Sequence, residues 1–268
     1  MRGRLEDRVV VVIGGTSGLG LSAVRACVRE GARVVAVGRD PAKAAAVAGE
    51  LGEAVRTLAA DATEPTTASR AIELAVSALG GFHGLYHVAG GSGRRMGDGP
   101  LHEISDAGWA STLQLNLTSL FQSNRAAAAW WMERRQPGSV VNCGSVLGGS
   151  PSPRFFATHA YAASKAAVLG LSQASASYYA PHGLRFNVLA PGLVATPMSR
   201  RAQADPLIQE FIRTKQPLDG GRIGAPEDLD AAVVWLLSDE SRFVTGQAIA
   251  VDGGWTVSEG QVPRPGPA

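Results

Sequence analysis

Short apolar runs alternate with longer amphipathic stretches along most of the chain. The β-branched run Val9–Ile13 is typical of a buried strand. Residues 18–30 have a helical pattern that glycine terminates at position 31. Residues 33–38 repeat the strand pattern, and Pro41 suits the first turn of a second helix that runs to about residue 51.

The alternation continues towards the C-terminal end. Further strand patterns lie at residues 54–61, 84–90, 138–145, 184–192 and 247–254. Helical patterns lie between them, at about residues 65–79, 106–134, 161–180 and 226–237. Strands separated by helices pair in parallel through right-handed crossovers. The pattern therefore predicts an α/β fold, a doubly wound sheet of seven parallel strands with helices on both faces.

The pattern also predicts the domain organisation. No linker rich in proline, glycine or serine divides residues 1–255, so we expect one domain there. Residues 256–268 are rich in proline and are expected to form a loose tail.

Composition narrows the class of protein. The 268 residues are 45% hydrophobic and 18% charged, as in soluble globular proteins. A net charge of +2 without a run of basic residues argues against a nucleic-acid partner. Cys27 and Cys143 lie in apolar stretches and are expected to be buried free thiols, and the five histidines show no metal-ligand spacing. With neither a signal peptide nor a membrane-spanning run, we expect a cytoplasmic protein without a membrane partner.

Glycine is concentrated directly after the first strand. Gly14, Gly18 and Gly20 form a G-x3-G-x-G pattern where a helix begins. Such glycines permit a sharp turn, close approach of a pyrophosphate to the backbone, and close packing of helix on strand. The N-terminus of the helix then offers free N–H groups and the positive end of its dipole to phosphates. The pattern favours a dinucleotide site; the alternative is an ordinary glycine-rich turn.

This spacing resembles that of the short-chain dehydrogenase/reductase family. Tyr161-Ala-Ala-Ser-Lys165 is similar to the Y-x3-K motif of that family, with Ser145 upstream at a strand end. Further matches in the family's order are Asn116 in L-Q-L-N-L-T-S, Pro191-Gly192 with Thr196, and Gly246 with V-D-G-G at 251–254. The resemblance spans nearly the whole chain. It implies a single Rossmann-type domain over 1–255 that binds a dinucleotide and catalyses interconversion of a ketone or aldehyde with an alcohol.

Several positions depart from the family pattern. Ile13 replaces a threonine, and His87-Val88 replaces a pair of asparagines that brace the sheet. We expect His87 to substitute in part by hydrogen bonding. Cys143-Gly144 also departs from the usual sequence before Ser145, and the sixteen positions from Ser145 to Tyr161 exceed the usual gap.

Tyr161 and Lys165 are four residues apart on a predicted helix and therefore share a face. A nearby ammonium favours the phenolate, so we expect Lys165 to lower the pKa of Tyr161 from its ordinary value of about 10. The resemblance implies that Tyr161 is the general acid/base and that Ser145 donates to the carbonyl oxygen. It further implies that Lys165 binds the nicotinamide ribose and Asn116 holds a water. The alternative is an amphipathic helix with a snorkelling lysine.

The end of the second strand bears on the choice of cofactor. Gly38 occupies the position where an acidic residue would bind an adenosine ribose, and Arg39 offers a fork suited to phosphate. This predicts NADP(H) over NAD(H), although Asp40 follows directly and a surface pair with Arg39 is an alternative. Asp61 is expected either to contact the adenine or to cap the N-terminus of the following helix. With the resemblance, the expected cofactor residues are Gly14, Thr16, Ser17, Gly18, Leu19, Gly20, Gly38, Arg39, Asp61, Ala62, Ala89, Gly90, Tyr161, Lys165, Pro191, Gly192, Val194 and Thr196.

The segment between Ser145 and Tyr161 is expected to border the substrate. In it, Phe155 and Phe156 suit an apolar wall, while Arg154 and His159 suit a polar group. Residues 196–216 resemble the mobile lid of the family, and their basic residues suggest an anionic substrate, with solvated charges as the alternative: Arg200, Arg201, Arg213 and Lys215.

Trp255 is expected either to close a pocket, in this or a neighbouring subunit, or to pack at an oligomer interface. The resemblance implies a homotetramer or homodimer built on the long helices 106–134 and 161–180.

Together these features predict an NADP(H)-dependent carbonyl reductase or alcohol dehydrogenase acting on a small molecule. One alternative is an NAD-dependent alcohol dehydrogenase of the same fold. Another is a noncatalytic dinucleotide-binding sensor or scaffold, which has no need of Ser145, Tyr161, Lys165 and Asn116 together.

Overall fold

A computed structural model describes residues 3–262, which contain a sheet of seven parallel strands. The strands are β1 Val9–Ile13, β2 Arg33–Gly38, β3 Val55–Ala59, β4 Gly84–His87, β5 Gly138–Cys143, β6 Leu184–Pro191 and β7 Ala248–Val251. Their order is β3-β2-β1-β4-β5-β6-β7. The direction of the order changes between β1 and β4. In sheets of this kind, ligands bind in the crevice at the carboxyl ends of the strands at such a point.

Helices cover both faces of the sheet. They are α1 Gly18–Arg29, α2 Pro41–Leu51, α3 Thr67–Leu79, α4 Asp106–Leu113, α5 Ser119–Arg134, α6 His159–Tyr179, α7 Arg200–Ala204, α8 Pro206–Lys215 and α9 Asp230–Leu237. Successive side chains of β1 point to opposite faces. Val10 and Val12 pack in the core with α1 and α9, whereas Val11 and Ile13 pack in the core with α3 and α5. The predicted Rossmann-type sheet is confirmed.

Two predicted helices differ in detail. The helix predicted over 106–134 contains a π-helical turn at Gln114–Thr118, between α4 and α5. The helix predicted over 226–237 begins with a 3-10 turn at Pro226–Leu229. None of the helices within residues 3–262 has the length and apolarity needed to cross a membrane.

The beginning of the predicted tail is anchored. The Lys215 ammonium donates to the Ser258 carbonyl at 2.5 Å, and the Gln261 N–H donates to Thr214 Oγ1 at 2.7 Å. The expectation of a loose tail is therefore wrong for this part, because α8 supplies partners for the tail backbone. Residues 263–268 of the predicted tail lie outside the described residues.

His87 connects the sheet to the helix layer, as the sequence suggested. Its buried ring places Nδ1 3.0 Å from Ser123 Oγ on α5. Because the Ser123 hydroxyl donates to the Ser119 carbonyl, Nδ1–H is the donor of this bond. Burial, aided by the charge of Lys165, lowers the pKa of His87 from 6.5 to about 3.

This lowered pKa predicts a dependence of stability on pH. Between pH 6.5 and 3 the unfolded chain binds a proton on His87 that the folded chain does not, so acid favours unfolding. The stability that the folded state gains from keeping His87 neutral is complete above pH 6.5 and is lost as the pH falls towards 3. We expect wild type to lose about 1.4 kcal/mol of unfolding free energy per pH unit in this window relative to His87→Asn. Urea unfolding measures the difference, and parallel pH profiles for the two proteins would contradict it.

Candidate active site

A cleft of about 310 Å³ opens at the carboxyl ends of the strands around the β1–β4 crevice. It extends from Arg39 and Asp61 at one end to Tyr161 and Lys165 at the other. All the predicted cofactor residues line it except Gly192 and Val194, which line a second cavity of about 240 Å³. Gly192 lies against Gln216 instead, where a Cβ would be 2.7 Å from Oε1.

The glycine-rich loop is shaped by close backbone approach. Gly14 has φ of +97°, and a Cβ there would lie 2.7 Å from the Ala89 nitrogen. A Cβ on Gly20 would lie 2.1 Å from the Gly14 carbonyl oxygen, so both positions require glycine. Within residues 3–262 the Ser17 side chain makes no capping bond to α1, which leaves first-turn N–H groups for a ligand. The loop therefore fits a pyrophosphate.

The end of β2 contains a packing relation that the sequence did not reveal. A Cβ on Gly38 would lie 1.9 Å from Thr16 Oγ1 and 2.8 Å from Thr16 Cβ. The Thr16 side chain thus fills the space next to Gly38. An acidic side chain at position 38, of the kind that binds an adenosine ribose, would clash with Thr16 unless Thr16 moves.

Arg39 reaches across the cleft end to a residue other than the expected one. Its Nη1 lies 3.7 Å from Asp61 Oδ2, and its side chain is 72% exposed. Asp40 instead caps α2, accepting from the Ala42 N–H at 2.9 Å. The alternative surface pair of Arg39 with Asp40 is therefore wrong, because the Asp40 carboxylate is turned to the helix N-terminus.

Asp61 closes a turn after β3. Its Oδ1 accepts from both the N–H and the hydroxyl of Thr63 at 2.8 Å. Burial opposes its ionisation, but these bonds and the charge of Arg39 outweigh burial and lower the pKa of Asp61. Since the N-cap of α3 is Thr66, the N-cap alternative for Asp61 is wrong.

At the other end of the cleft, α6 presents Tyr161 and Lys165, both buried. The Lys165 ammonium donates to the Cys143 carbonyl at 2.7 Å and lies 5.6 Å from the centre of the Tyr161 ring. Ser145 follows β5, and its Oγ accepts from the Leu147 N–H at 3.2 Å.

Burial raises the pKa of Tyr161 above its ordinary value, an effect that the Ser145 hydroxyl partly offsets. Burial also lowers the pKa of Lys165, which Cys143 opposes. The expectation that the pKa of Tyr161 lies below its ordinary value is wrong for the polypeptide alone, because desolvation of the phenolate raises it.

Asn116 lies fully buried in the π-helical turn. Its Oδ1 accepts from the Gly91 N–H at 3.0 Å, and its Nδ2 donates to the carbonyls of Gly91 at 2.9 Å and Thr112 at 3.0 Å. These bonds fasten the loop after β4 to the turn. They engage both Nδ2 hydrogens, so that a remaining lone pair on Oδ1 is the position from which Asn116 can bind a water.

The loop after β4 also supplies a carboxylate that the sequence analysis missed. Asp98 is buried, and its two oxygens accept from the N–H groups of Ala160 at 3.0 Å and Tyr161 at 2.9 Å. It therefore caps α6 at the residue that carries the phenol. No periodicity or motif marks this aspartate in the sequence, because the capped helix begins about sixty residues further along the chain.

The predicted substrate residues are only partly brought together. Tyr161 lines the inner end of the cleft and Ser145 directly follows Gly144, which also lines it, whereas Arg154 and His159 are exposed. The rings of Phe155 and Phe156 pack into an aromatic cluster with Phe211 and Trp255, at centroid distances of 5.2 to 5.9 Å.

Trp255 is 1% exposed within one chain and donates from Nε1 to the Ser150 carbonyl at 3.1 Å. Its expected role in a neighbouring subunit's pocket or at an oligomer interface is wrong, because the lid covers it. Lys215 is likewise buried, and its ammonium is bonded to the Ser258 carbonyl of the tail, so it is unavailable to a substrate.

Comparison with known proteins agrees with this geometry. The sequence model of a family described as "Enoyl-(Acyl carrier protein) reductase" matches residues 14–256. The chain is 36% identical to 2-(S)-hydroxypropyl-CoM dehydrogenase 3 of Xanthobacter autotrophicus, over 96% of this chain and 99% of that protein. It is 37% identical to a 3-alpha-(or 20-beta)-hydroxysteroid dehydrogenase of Mycobacterium tuberculosis, over 95% and 91% of the two chains.

Another relative from Xanthobacter autotrophicus carries the name inactive 2-(S)-hydroxypropyl-CoM dehydrogenase 2. It is 40% identical over 87% of this chain and 98% of its own length. Among solved structures, a short-chain type dehydrogenase/reductase from Mycobacterium ulcerans superposes with a TM-score of 0.86 at 31% identity, covering 96% of this chain and 92% of the other.

Proposed function

The chain belongs to the short-chain dehydrogenase/reductase family, and from this we propose that it is an NADP(H)-dependent enzyme interconverting a ketone or aldehyde with an alcohol. Membership makes it an oxidoreductase that uses a nicotinamide dinucleotide. The observation that carries the finer proposal is one cleft with the glycine-rich loop and Arg39 at one end and Tyr161 and Lys165 at the other, where the Ser145 hydroxyl adjoins Tyr161.

The proposed mechanism divides the work between three side chains. When bound, the nicotinamide supplies the hydride in reduction and accepts it in oxidation. During reduction Tyr161 donates its phenolic proton to the carbonyl oxygen, and Ser145 Oγ donates a hydrogen bond to the same oxygen. Lys165, held by the Cys143 carbonyl, would bind the nicotinamide ribose and stabilise the phenolate that Tyr161 becomes. Alcohol oxidation reverses these proton movements.

The preference for NADP(H) rests on the cleft end at β2. An acidic side chain at position 38 would clash with Thr16 unless Thr16 moves, and the exposed guanidinium of Arg39 is free to turn towards a 2′-phosphate. In that movement the guanidinium would exchange its contact with Asp61 Oδ2, 3.7 Å from Nη1, for the phosphate. For an NAD-dependent enzyme, the absence of a carboxylate at position 38 would remove the usual partner of the ribose hydroxyls.

A noncatalytic dinucleotide-binding protein is the second candidate, and the inactive relative from Xanthobacter autotrophicus favours keeping it. Dinucleotide binding alone accounts for Lys165 through the ribose, but it gives no reason to bury the Tyr161 phenol beside the Ser145 hydroxyl. The test is oxidation of NADPH with a panel of ketones and aldehydes, and reduction of NADP⁺ with the matching alcohols. Turnover of any member supports the enzyme, whereas tight binding without turnover supports the sensor.

We also propose one dinucleotide-binding and catalytic domain over residues 1–255, assembled as a homotetramer or homodimer. Trp109 on α4 and Phe121 on α5 are 40% and 42% exposed, and they suit the proposed helix interface.

Asp98 is expected to position Tyr161. We predict that Asp98→Ala lowers kcat about tenfold with little change in KM, because loss of both capping bonds loosens the first turn of α6. Asp98→Asn keeps one acceptor oxygen and should recover part of the rate. Steady-state kinetics measure both effects, and Asp106→Ala in the first turn of α4 is the control. Equal kcat in Asp98→Ala and wild type would refute the positioning role.

A further inference from the structure

A pair of arginines outside the dinucleotide cleft donates to one backbone oxygen. Arg94 Nη2 lies 3.1 Å, and Arg201 Nη2 2.8 Å, from the carbonyl oxygen of Phe155. Arg94 comes from the loop after β4 and Arg201 from α7. We refer to Arg94 and Arg201 as the arginine pair.

Both side chains of the arginine pair are exposed, and that of Arg201 also lies over the Phe156 ring, 5.9 Å from its centroid. Two cationic groups share a neutral acceptor, and throughout residues 3–262 no carboxylate oxygen lies within 4.0 Å of either guanidinium. Burial and the neighbouring charge of Arg201 lower the pKa of Arg94, while Asp98 opposes this. The oxygens of Asp98 are already engaged by α6, so that carboxylate does not bond the pair. An anion placed between the two guanidiniums would relieve their repulsion.

The pair joins three segments that adjoin the reacting groups. The loop of Arg94 is bonded to α6 through Asp98, next to Tyr161. Phe155 belongs to the segment that connects Ser145 with Tyr161. Arg201 follows Met198, which lines the cleft. These connections link the arginine pair to the Tyr161 end of the cleft, although neither arginine is among the residues that line it.

We propose that the arginine pair binds an anionic group of the substrate: a carboxylate, sulfonate or phosphate remote from the reacting carbonyl. The inference rests on the proposed function, whose substrate class it specifies. Each guanidinium donates one N–H to the Phe155 carbonyl. Its other N–H groups can donate to an oxyanion in forked geometry. The Phe155 carbonyl holds the two side chains together in advance, which reduces the entropy lost when the anion binds.

The test compares keto acids with their uncharged methyl esters. Acetoacetate, levulinate and longer oxo acids are assayed beside their esters with wild type, Arg94→Gln, Arg201→Gln and the double variant. Each single substitution is expected to raise KM for the acids about tenfold and leave the esters unchanged, since it removes a charge-assisted bond. Arg95→Gln is the matched control, because Arg95 carries the same charge and is exposed like Arg94 but, within residues 3–262, makes no bond to Phe155.

Calorimetric titration of the same acids and esters provides a readout that does not depend on turnover. Acids that bind wild type and Arg95→Gln but not the double variant support the arginine pair, even if no compound is turned over and the proposed function fails. Equal binding of acids by wild type and the double variant overturns the proposal. An equal loss of affinity for acids and esters in the double variant also overturns it, as does tighter binding of esters than of acids by wild type. None of these three results contradicts the proposed function.

Discussion

Replacing Tyr161 with phenylalanine is expected to lower kcat about a thousandfold or more. The phenol is the group proposed to give the carbonyl oxygen its proton, and general acid catalysis contributes roughly 10²–10⁴ to enzymatic rates. Phenylalanine keeps the ring that packs in the cleft, and Lys165 remains bonded to the Cys143 carbonyl. The dissociation constant for the dinucleotide should therefore stay within about twofold of wild type, well below the tenfold change that 1.4 kcal/mol of binding energy would produce.

Tyr178→Phe is the matched control for this experiment. Tyr178 lies on the same helix, is 69% exposed and is remote from the cleft lining, so its variant should retain wild-type kcat. Single-turnover kinetics under saturating cofactor separate the chemical step from release. Retained turnover in Tyr161→Phe would remove Tyr161 from the acid/base role, and loss of cofactor binding would indicate a collapsed cleft instead.

The second large effect concerns cofactor choice. We expect Gly38→Asp alone to weaken binding of both NADPH and NADH, because its Cβ would lie 1.9 Å from Thr16 Oγ1. The double variant Thr16→Gly/Gly38→Asp removes that clash and places a carboxylate where it accepts from ribose hydroxyls and repels a 2′-phosphate. It should shift the ratio of NADPH to NADH affinity about a hundredfold or more towards NADH. This is roughly the effect of two charge-assisted interactions.

Arg39→Ser isolates the other half of the site. This substitution should weaken binding of NADPH about tenfold or more and leave binding of NADH unchanged, because only the 2′-phosphate requires the guanidinium. Thr16→Gly alone controls for loosening of the loop. If Gly38→Asp bound NADH tightly without the Thr16 substitution, the steric relation between positions 16 and 38 would be refuted.

The sequence was sufficient for the sheet and most of the cleft because both depend on local signals. The β-branched run Val9–Ile13, the glycines after it and the four-residue spacing of Tyr161 and Lys165 each have a period or motif. The π-helical turn at Gln114–Thr118 carries no such signal, since its extra residue per turn is fixed by the bonds of Asn116 across to Gly91.

The remaining features depend on contacts between distant segments. Asp98 and Arg94 lie in an irregular loop, and their importance follows from bonds to α6 and to Phe155. For Trp255 the sequence left a pocket and an oligomer interface as alternatives, and it gives no sign that the lid buries this side chain within one chain. The fit between Thr16 and Gly38 likewise exists only in three dimensions.

The cleft is proposed to bind a phosphorylated nicotinamide dinucleotide for carbonyl chemistry. Its most direct test is a titration of the purified protein with NADPH and with NADH, comparing the two dissociation constants. We expect NADPH to bind at least about tenfold more tightly than NADH, which is the effect of one arginine–phosphate contact. Tighter binding of NADH would contradict it, and failure of both to bind would deprive the glycine-rich loop of its proposed ligand.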